Sequence, residues 1–318
     1  MISLTRRKFL ENLSAVAAGN FIAGPALLAA RASDPEPHIS FPTSPRDRIA
    51  VASYPFRAYI NSPGNRDRNP SHPGMDLTQF PAEVVKKFGV HNIEPLSNHF
   101  ASLDDSYLAK FREELSKANA KAVNIAVSLR ESLYDPDPAA RNKAIASAKK
   151  WVDVAVRIGS PGIRTHIDAA KDSKPDVGRA SETLAQVAEY AEKKKVVAHL
   201  ENDNPVSEDP FFIVQIIEKV NSPWLRALPD FGNSLAAHDE EFQDRAMEAM
   251  FAHAYGICHV KDGEPDDKGN PTHVDMAKTF GILKKHGYKG YCSIEYDAPG
   301  DPYKPTAVMV EQTIKFLS

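Results

Sequence analysis

The chain has little cysteine, no glycine-rich phosphate turn after its first apolar run, no long uninterrupted apolar stretch and no excess of basic charge. Its two cysteines among 318 residues, Cys258 and Cys292, form no CxxC or Cys/His finger spacing, which excludes a thiolate metal site. Both fall inside apolar runs, where strand alternation turns them away from the residues proposed below as ligands; they read as buried free thiols, with a disulfide left open. Without a glycine-rich turn, an open doubly wound sheet becomes the second choice of fold. A formal net charge of −3 argues against a general nucleic-acid binder. The longest mildly apolar stretch, Ala15 to Ala30, is broken by Gly19, Asn20, Gly24 and Pro25 and makes a poor permanent membrane span.

That stretch follows Thr5-Arg6-Arg7-Lys8-Phe9-Leu10 and ends in Ala30-Arg31-Ala32, the pattern of a twin-arginine export signal with a small-residue cleavage site. An uncleaved amphipathic anchor is the rival reading. Cleavage after Ala32 leaves 286 residues with a formal charge of −6, because residues 1–32 carry four basic side chains and one acidic. The expected product is periplasmic or otherwise exported, with no stable membrane anchor. Its organisation is a signal over 1–32, a proline-rich lead over 33–48 and one folded unit over 49–318.

Within that unit, apolar runs recur: IAVAS near 49, HNIEP near 92, KAVNIAV near 121, GIRTH near 162, VVAHLE, LRALPD, AYGICH and YCSIE. Each reads as a buried parallel strand. Helix-patterned segments alternate with them, from Thr78–Phe88 to Thr306–Leu317. Eight strand-and-helix units close a parallel barrel, so the expected fold class is α/β, a (β/α)8 TIM barrel preceded by an export signal. Two long loops, 57–75 and 262–273, lie on the face where such barrels carry function.

The last four runs end in Glu201, Asp230, His259 and Glu295, at intervals of 29, 29 and 36 residues. A βαβ unit takes about 30 residues, so the four stand at one level on successive strands and can converge. Any one of them alone reads as a helix cap or a solvated loop charge. Together, two glutamates, an aspartate and a histidine make an oxygen and nitrogen set suited to one divalent ion, Mn, Mg, Co or Zn.

The motifs HLEND, LPDFGN, CHVKD and SIEYD, with SYPFR near 53 and NIEP near 92, resemble the xylose isomerase-like barrels, the superfamily of sugar isomerases, epimerases and, more distantly, AP endonuclease family 2. The resemblance spans roughly residues 49–318. It implies that Glu201, Asp230, His259 and Glu295 bind one divalent metal, and that Glu201 and Glu295 are the catalytic pair moving a proton beside a sugar carbonyl through a metal-stabilised enediolate. It thus implies an isomerase or epimerase acting on a carbohydrate or small polyol. One departure is Asn233, where several such epimerases carry histidine; asparagine hydrogen-bonds substrate but does not titrate, which weakens the case for ketose 3-epimerisation in particular.

Further expected substrate contacts are Arg57, Glu94, Arg164, His166, Asn233 and Lys261. Apart from Asn233, each has a plainer alternative in a neighbouring charge, Asp262 or Asp297 in the case of Lys261. His199, two residues before Glu201, reads as a hydrogen-bonded barrel histidine, and Trp151 and Trp224 as core. Three other functions stay open: β-elimination of a 3-oxo-glycoside by the same residues, a catalytically silent sugar-binding barrel, and nucleic-acid hydrolysis, which the negative charge disfavours. Assembly into a homo-oligomer is also left open. N-terminal sequencing of the protein recovered from the periplasm of a host with a twin-arginine pathway is expected to begin at Ser33, and an Arg6→Lys, Arg7→Lys variant to stay in the cytoplasm.

Overall fold

The computed structural model describes residues 36–266 and 268–318. The export signal and its cleavage site therefore lie outside the described residues. Strands and helices alternate as expected: β1 (Ile49–Ala52), α1 (Phe80–Phe88), β2 (Asn92–Glu94), α2 (Asp105–Lys117), then β3 (Lys121–Ala122) and β4 (Ala126–Val127), and α3 (Pro138–Ile158). There follow β5 (Gly162–Thr165), α4 (Val177–Lys194), β6 (Val197–Glu201), α5 (Pro210–Val220), β7 (Leu225–Leu228), α6 (Glu240–Phe251), β8 (Ile257–Val260), α7 (Met276–Lys285), β9 (Tyr291–Ile294) and α8 (Tyr303–Leu317).

Every strand pairing is parallel, in two runs ordered β3-β2-β1-β9-β8 and β4-β5-β6-β7. The runs meet at two seams. At the first, the single run expected at 121–127 divides into β3 and β4: Val123 N–H donates to Ile93 on one neighbour, whereas Ile125 N–H donates to Gly162 on the other. Ala126 N–H returns to Pro95 O on the first side, so residues 123–125 shift the alternation of the ladder while both neighbours stay paired. At the second seam, β7 and β8 touch through single bridges, one of which pairs Asp230 with His259. His259 N–H donates to Pro229 O and Phe231 N–H to His259 O, so backbone bonds fix two of the candidate ligands side by side.

Local chemistry sets the helix starts. Asp137, Asp176, Asp209, Asp239 and Asp275 each accept a first-turn backbone N–H, satisfying donors that have no partner within the helix. The outward faces of the strands and the inward faces of the helices form one continuous apolar core. Trp151 and Trp224 are buried in the protein, as expected. Cys258 and Cys292 face one another in register as buried free thiols, their Sγ atoms 3.7 Å apart. Inside the barrel, a smaller layer of Ala50, Val123, Leu228, Ile257 and Tyr291 is covered by Phe41, whose ring meets Tyr255 and Tyr291 edge-on. Ile257 and Tyr291 begin their strands, so the proline-rich lead stoppers the end opposite the ligands.

The strand starts are tightly packed there. A Cβ on Gly290 would sit 2.6 Å from the carbonyl oxygens of both Gly256 and Tyr255. Backbone cannot yield as a flexible side chain can, and overpacking of this kind costs roughly 1–3 kcal/mol. Gly290→Ala is expected to lower the unfolding free energy by that amount, read as a lower urea midpoint at unchanged slope, leaving the ligand end intact.

Candidate metal centre and its cleft

Alternation along β6, β8 and β9 and the turn after β7 aim Glu201, Asp230, His259 and Glu295 at the barrel axis, and all four are buried. One ligand-type atom from each lies within 4.8 Å of all the others. His259 Nδ1 is the hub, 2.7 Å from Glu201 Oε1, 3.2 Å from Glu295 Oε2 and 3.8 Å from Asp230 Oδ2. The four residues that spacing alone brings to one level are therefore a single cluster.

The supports around them explain their orientation. His259 Nε2 lies 2.9 Å from Glu94 Oε2, and Asn124 Nδ2 donates to Glu94 Oε1 at 2.7 Å. A ring whose far nitrogen is held by a carboxylate keeps Nδ1 turned to the cluster. Asp230 Oδ1 accepts the backbone N–H groups of Gly232 and Asn233, while Asn202 binds the Asp230 backbone at both N–H and C=O. Arg164 Nε approaches Glu201 Oε2 to 2.8 Å, close but out of line with the N–H direction, so Glu201 Oε2 has an ion-pair partner and no hydrogen bond. Asp230 Oδ2 also lacks a hydrogen bond.

Those two orphaned buried carboxylate oxygens are what a divalent cation would satisfy, and the hard oxygen and imidazole donor set fits Mn, Mg, Co or Zn. Without it, the protein balances the charge with its own protons and ammonium. Burial would lower His259, but Glu201, Glu295 and Glu94 together hold its imidazole well above the ordinary value. Burial, with Glu201 and Glu295 adding to it and Lys261 opposing, pushes Asp230 up to about 8. Burial likewise works to raise Glu295, yet His259 and Lys261 outweigh it and hold that carboxyl far below its usual range.

The other expected site residues fall into different settings. Lys261 is buried, donates to Asn233 Oδ1 at 2.7 Å and stands 3.4 Å from Glu295 and Glu264 and 3.8 Å from Asp230; Asp262 and Asp297 are not its partners. Asn233 Nδ2 donates to Asn202 O and, at 3.4 Å, to Glu201 Oε1, so this side chain links the lysine to the glutamate. Arg57 pairs with Asp297 at 2.7 Å over the Tyr54 ring. Glu94 has no exposed surface and is committed to His259 and Asn124. His166 lies 2.9 Å from Glu208, whose oxygens also accept Ile167 and Asn204 backbone N–H groups. His199 bonds Ile163 O inside the barrel, where burial depresses it to about 4.

Two adjoining cavities open at this end. The inner one, about 280 Å³, is lined by Glu201 and Glu295 but not by Asp230 or His259, and also by Tyr54, Asn98, Arg164, Lys261 and Asp297. The outer one, about 460 Å³, lies against the loops after β5, β6 and β7. Asp203, Glu264, Glu208 and Asn124 escape the sequence reading. Asp203 shares its face with Glu201 two residues away, and Asn124 is the one polar residue in an apolar run, so both carried a signal. Glu208 carried none, since its role depends on where two loops meet.

The chain belongs to the xylose isomerase-like TIM barrel family, whose model matches residues 82–318. Among solved structures, it is similar to a xylose isomerase-like TIM barrel protein from Mycobacterium smegmatis in complex with magnesium: 17% identity, TM-score 0.65, covering 85% of this chain and 97% of that one. D-allulose 3-epimerase from Methylomonas sp. matches at 19% identity and TM-score 0.60, covering 86% and 92%. The 3-keto-D-glucoside 4-epimerase of E. coli matches at 13% and 0.64, covering 84% and 98%. No curated protein matches. The family match confirms the barrel expected from the eight repeats.

The metal reading has a direct check. One divalent ion per chain is expected by elemental analysis, with affinity rising between pH 6 and 8 because the raised Asp230 and His259 must give up protons to bind it. Glu94→Gln, which leaves all four ligand side chains in place, is expected to weaken that affinity about 10- to 100-fold.

Proposed function

We propose that the protein is a divalent-metal-dependent sugar isomerase or epimerase that removes a proton beside a carbonyl. The observation that carries this reading is the unequal exposure of the cluster: Glu201 and Glu295 face the cavity, while Asp230 and His259 stand behind them. Two members hold; two can reach a substrate. A divalent cation bound by the four would polarise the sugar carbonyl and lower the cost of removing the neighbouring carbon-bound proton.

Glu201 and Glu295 come from β6 and β9, with β7 and β8 between them, so a sugar carbon seated in the cavity is approached by two carboxylates from different directions. His259 and Lys261 keep Glu295 ionised, the state a proton acceptor requires. One carboxylate takes the proton and the other returns one, at the same carbon in epimerisation or at its neighbour in isomerisation. Lys261 and Arg164, whose Nη1 is buried without a partner, offer donors to the substrate's oxygens. Glu94, on this reading, orients His259 and does not touch substrate. Similarity to proteins named as sugar epimerases supports the substrate class.

Elimination is the second reading, favoured by the outer cavity, which has room for a group leaving from the next carbon. The same proton removal would then expel that group. The twin-arginine leader supports an exported enzyme, and no helix among the described residues is long and apolar enough to cross a membrane.

Proton exchange separates these readings. With the metal saturating, a keto-sugar incubated in heavy water is expected to take up deuterium beside the carbonyl, and Glu295→Gln to slow this about 10²- to 10⁴-fold. Unchanged exchange in the variant removes Glu295 from the chemistry; aglycone release from a 3-oxo-glucoside without epimer formation selects elimination.

A further inference from the structure

The inner and outer cavities share Ser128, His166, Asp203, Asn233 and Glu264 as wall residues, so they are two chambers of one cleft. The outer chamber is the larger. A monosaccharide placed against Glu201 and Glu295 fills the inner chamber and leaves the outer one to solvent. Its wall is held in shape before anything binds: Glu208, itself buried, ties the loop after β5 to the loop after β6 through Ile167 N–H, Asn204 N–H and His166. Preformed polar walls of this kind suit a ligand rich in hydroxyls.

Charge narrows the ligand further. Eight carboxylates line the joined cleft against Arg164, Lys261 and His166. Each of those three already faces carboxylates: Arg164 at Glu201, Lys261 at Glu264 and Glu295, His166 at Glu208. A divalent cation at the cluster still leaves the cleft acidic. A phosphate or a sugar acid entering it meets net repulsion, whereas hydroxyl groups find acceptors in the side chains of Asp168, Asp203, Asn204 and Glu264 along the wall. Of the residues that line the outer chamber only Pro205 and Ala236 are apolar, and the rest offer hydrogen-bonding groups beside the apolar parts of their side chains, the mixed surface a second sugar ring presents in turn.

We infer that the substrate is a neutral glycoside at least two sugar units long, with the reacting unit in the inner chamber and its neighbour in the outer chamber against Asp168, Asp203 and Asn204. This rests on the proposed function, because the cluster defines which unit reacts. Calorimetric titration of the Mn²⁺-loaded protein with glucose, cellobiose and glucose 6-phosphate tests it. Cellobiose is expected to bind at least 10-fold more tightly than glucose, and glucose 6-phosphate at least 10-fold more weakly, its deficit shrinking as salt is added. Ala236→Trp, which fills the outer chamber away from the cluster, is expected to abolish the cellobiose advantage and keep glucose affinity; Asp168→Leu should reduce the same advantage if the tryptophan variant does not fold. Equal binding of glucose and cellobiose, or tighter binding of the phosphate, overturns the inference. Failure to take up any divalent ion, or an absence of proton exchange, sinks the proposed function instead, so the two failures are read by different measurements.

Discussion

Four carboxylates, those of Glu94, Glu201, Asp230 and Glu295, are buried around one imidazole, and this concentration of like charge is the constraint that the rest of the structure answers. Unpaired anions so far from water would not stay ionised. The protein therefore surrounds them with His259, Lys261 and Arg164, and still leaves Glu201 Oε2 and Asp230 Oδ2 without hydrogen bonds. Burial, with Glu201 and Glu295 adding to it, pushes the Asp230 carboxyl up to about 8 in spite of Lys261 and His259. A set of donors with two oxygens left without hydrogen bonds could hold a cation, as the geometry of the four residues allows.

The barrel supplies the rigidity this requires. Removing one strand would unpair its neighbours, so ligands carried on strand ends are held by the whole ladder. Two of the four are fixed even more directly, since at the β7–β8 seam the His259 backbone bonds Pro229 and Phe231, the residues on either side of Asp230. Below them, Glu94 reaches from β2 past β1 and β9 to hold His259 on β8 in the same run, and His259 in turn meets Glu201 on β6 of the other run. Packing of the core and orientation of the ligands are thus parts of one arrangement, with Phe41 packed at the end opposite the ligands.

Periodicity made the framework legible. Repeats of about 30 residues place the strands, and alternation decides which residues point inward; together these suffice to assemble Glu201, Asp230, His259 and Glu295 and to turn Cys258 and Cys292 away. Partnerships between inward side chains were not legible to the same degree. Glu94 was expected beside a substrate because it ends its strand, but strand-end position does not tell depth, and the barrel's stagger sets it under His259. Lys261 was expected on the inward face as a substrate contact, with a pair to Asp262 or Asp297 as the alternative; it does turn inward, but its partners Asp230, Glu264 and Glu295 come from three different places that spacing alone does not name. The division of the third strand into β3 and β4 likewise depends on which neighbour each residue faces, a matter of closure that no local pattern encodes.

Asn233 shows how the same constraint bears on chemistry. Its backbone N–H holds Asp230 Oδ1, its amide oxygen accepts from Lys261, and its amide nitrogen reaches Asn202 O and Glu201 Oε1. A histidine at this position could not offer an acceptor to the ammonium and donors to two oxygens from one short planar group. The amide lets Lys261 stand within 3.4 Å of Glu295 while its charge stays oriented by a neutral partner. In a cleft already crowded with ionisable groups, an uncharged bridge adds no further titration to the site. On the proposed reading, proton transfer then falls to Glu201 and Glu295, the two carboxylates of the cluster that line the cavity.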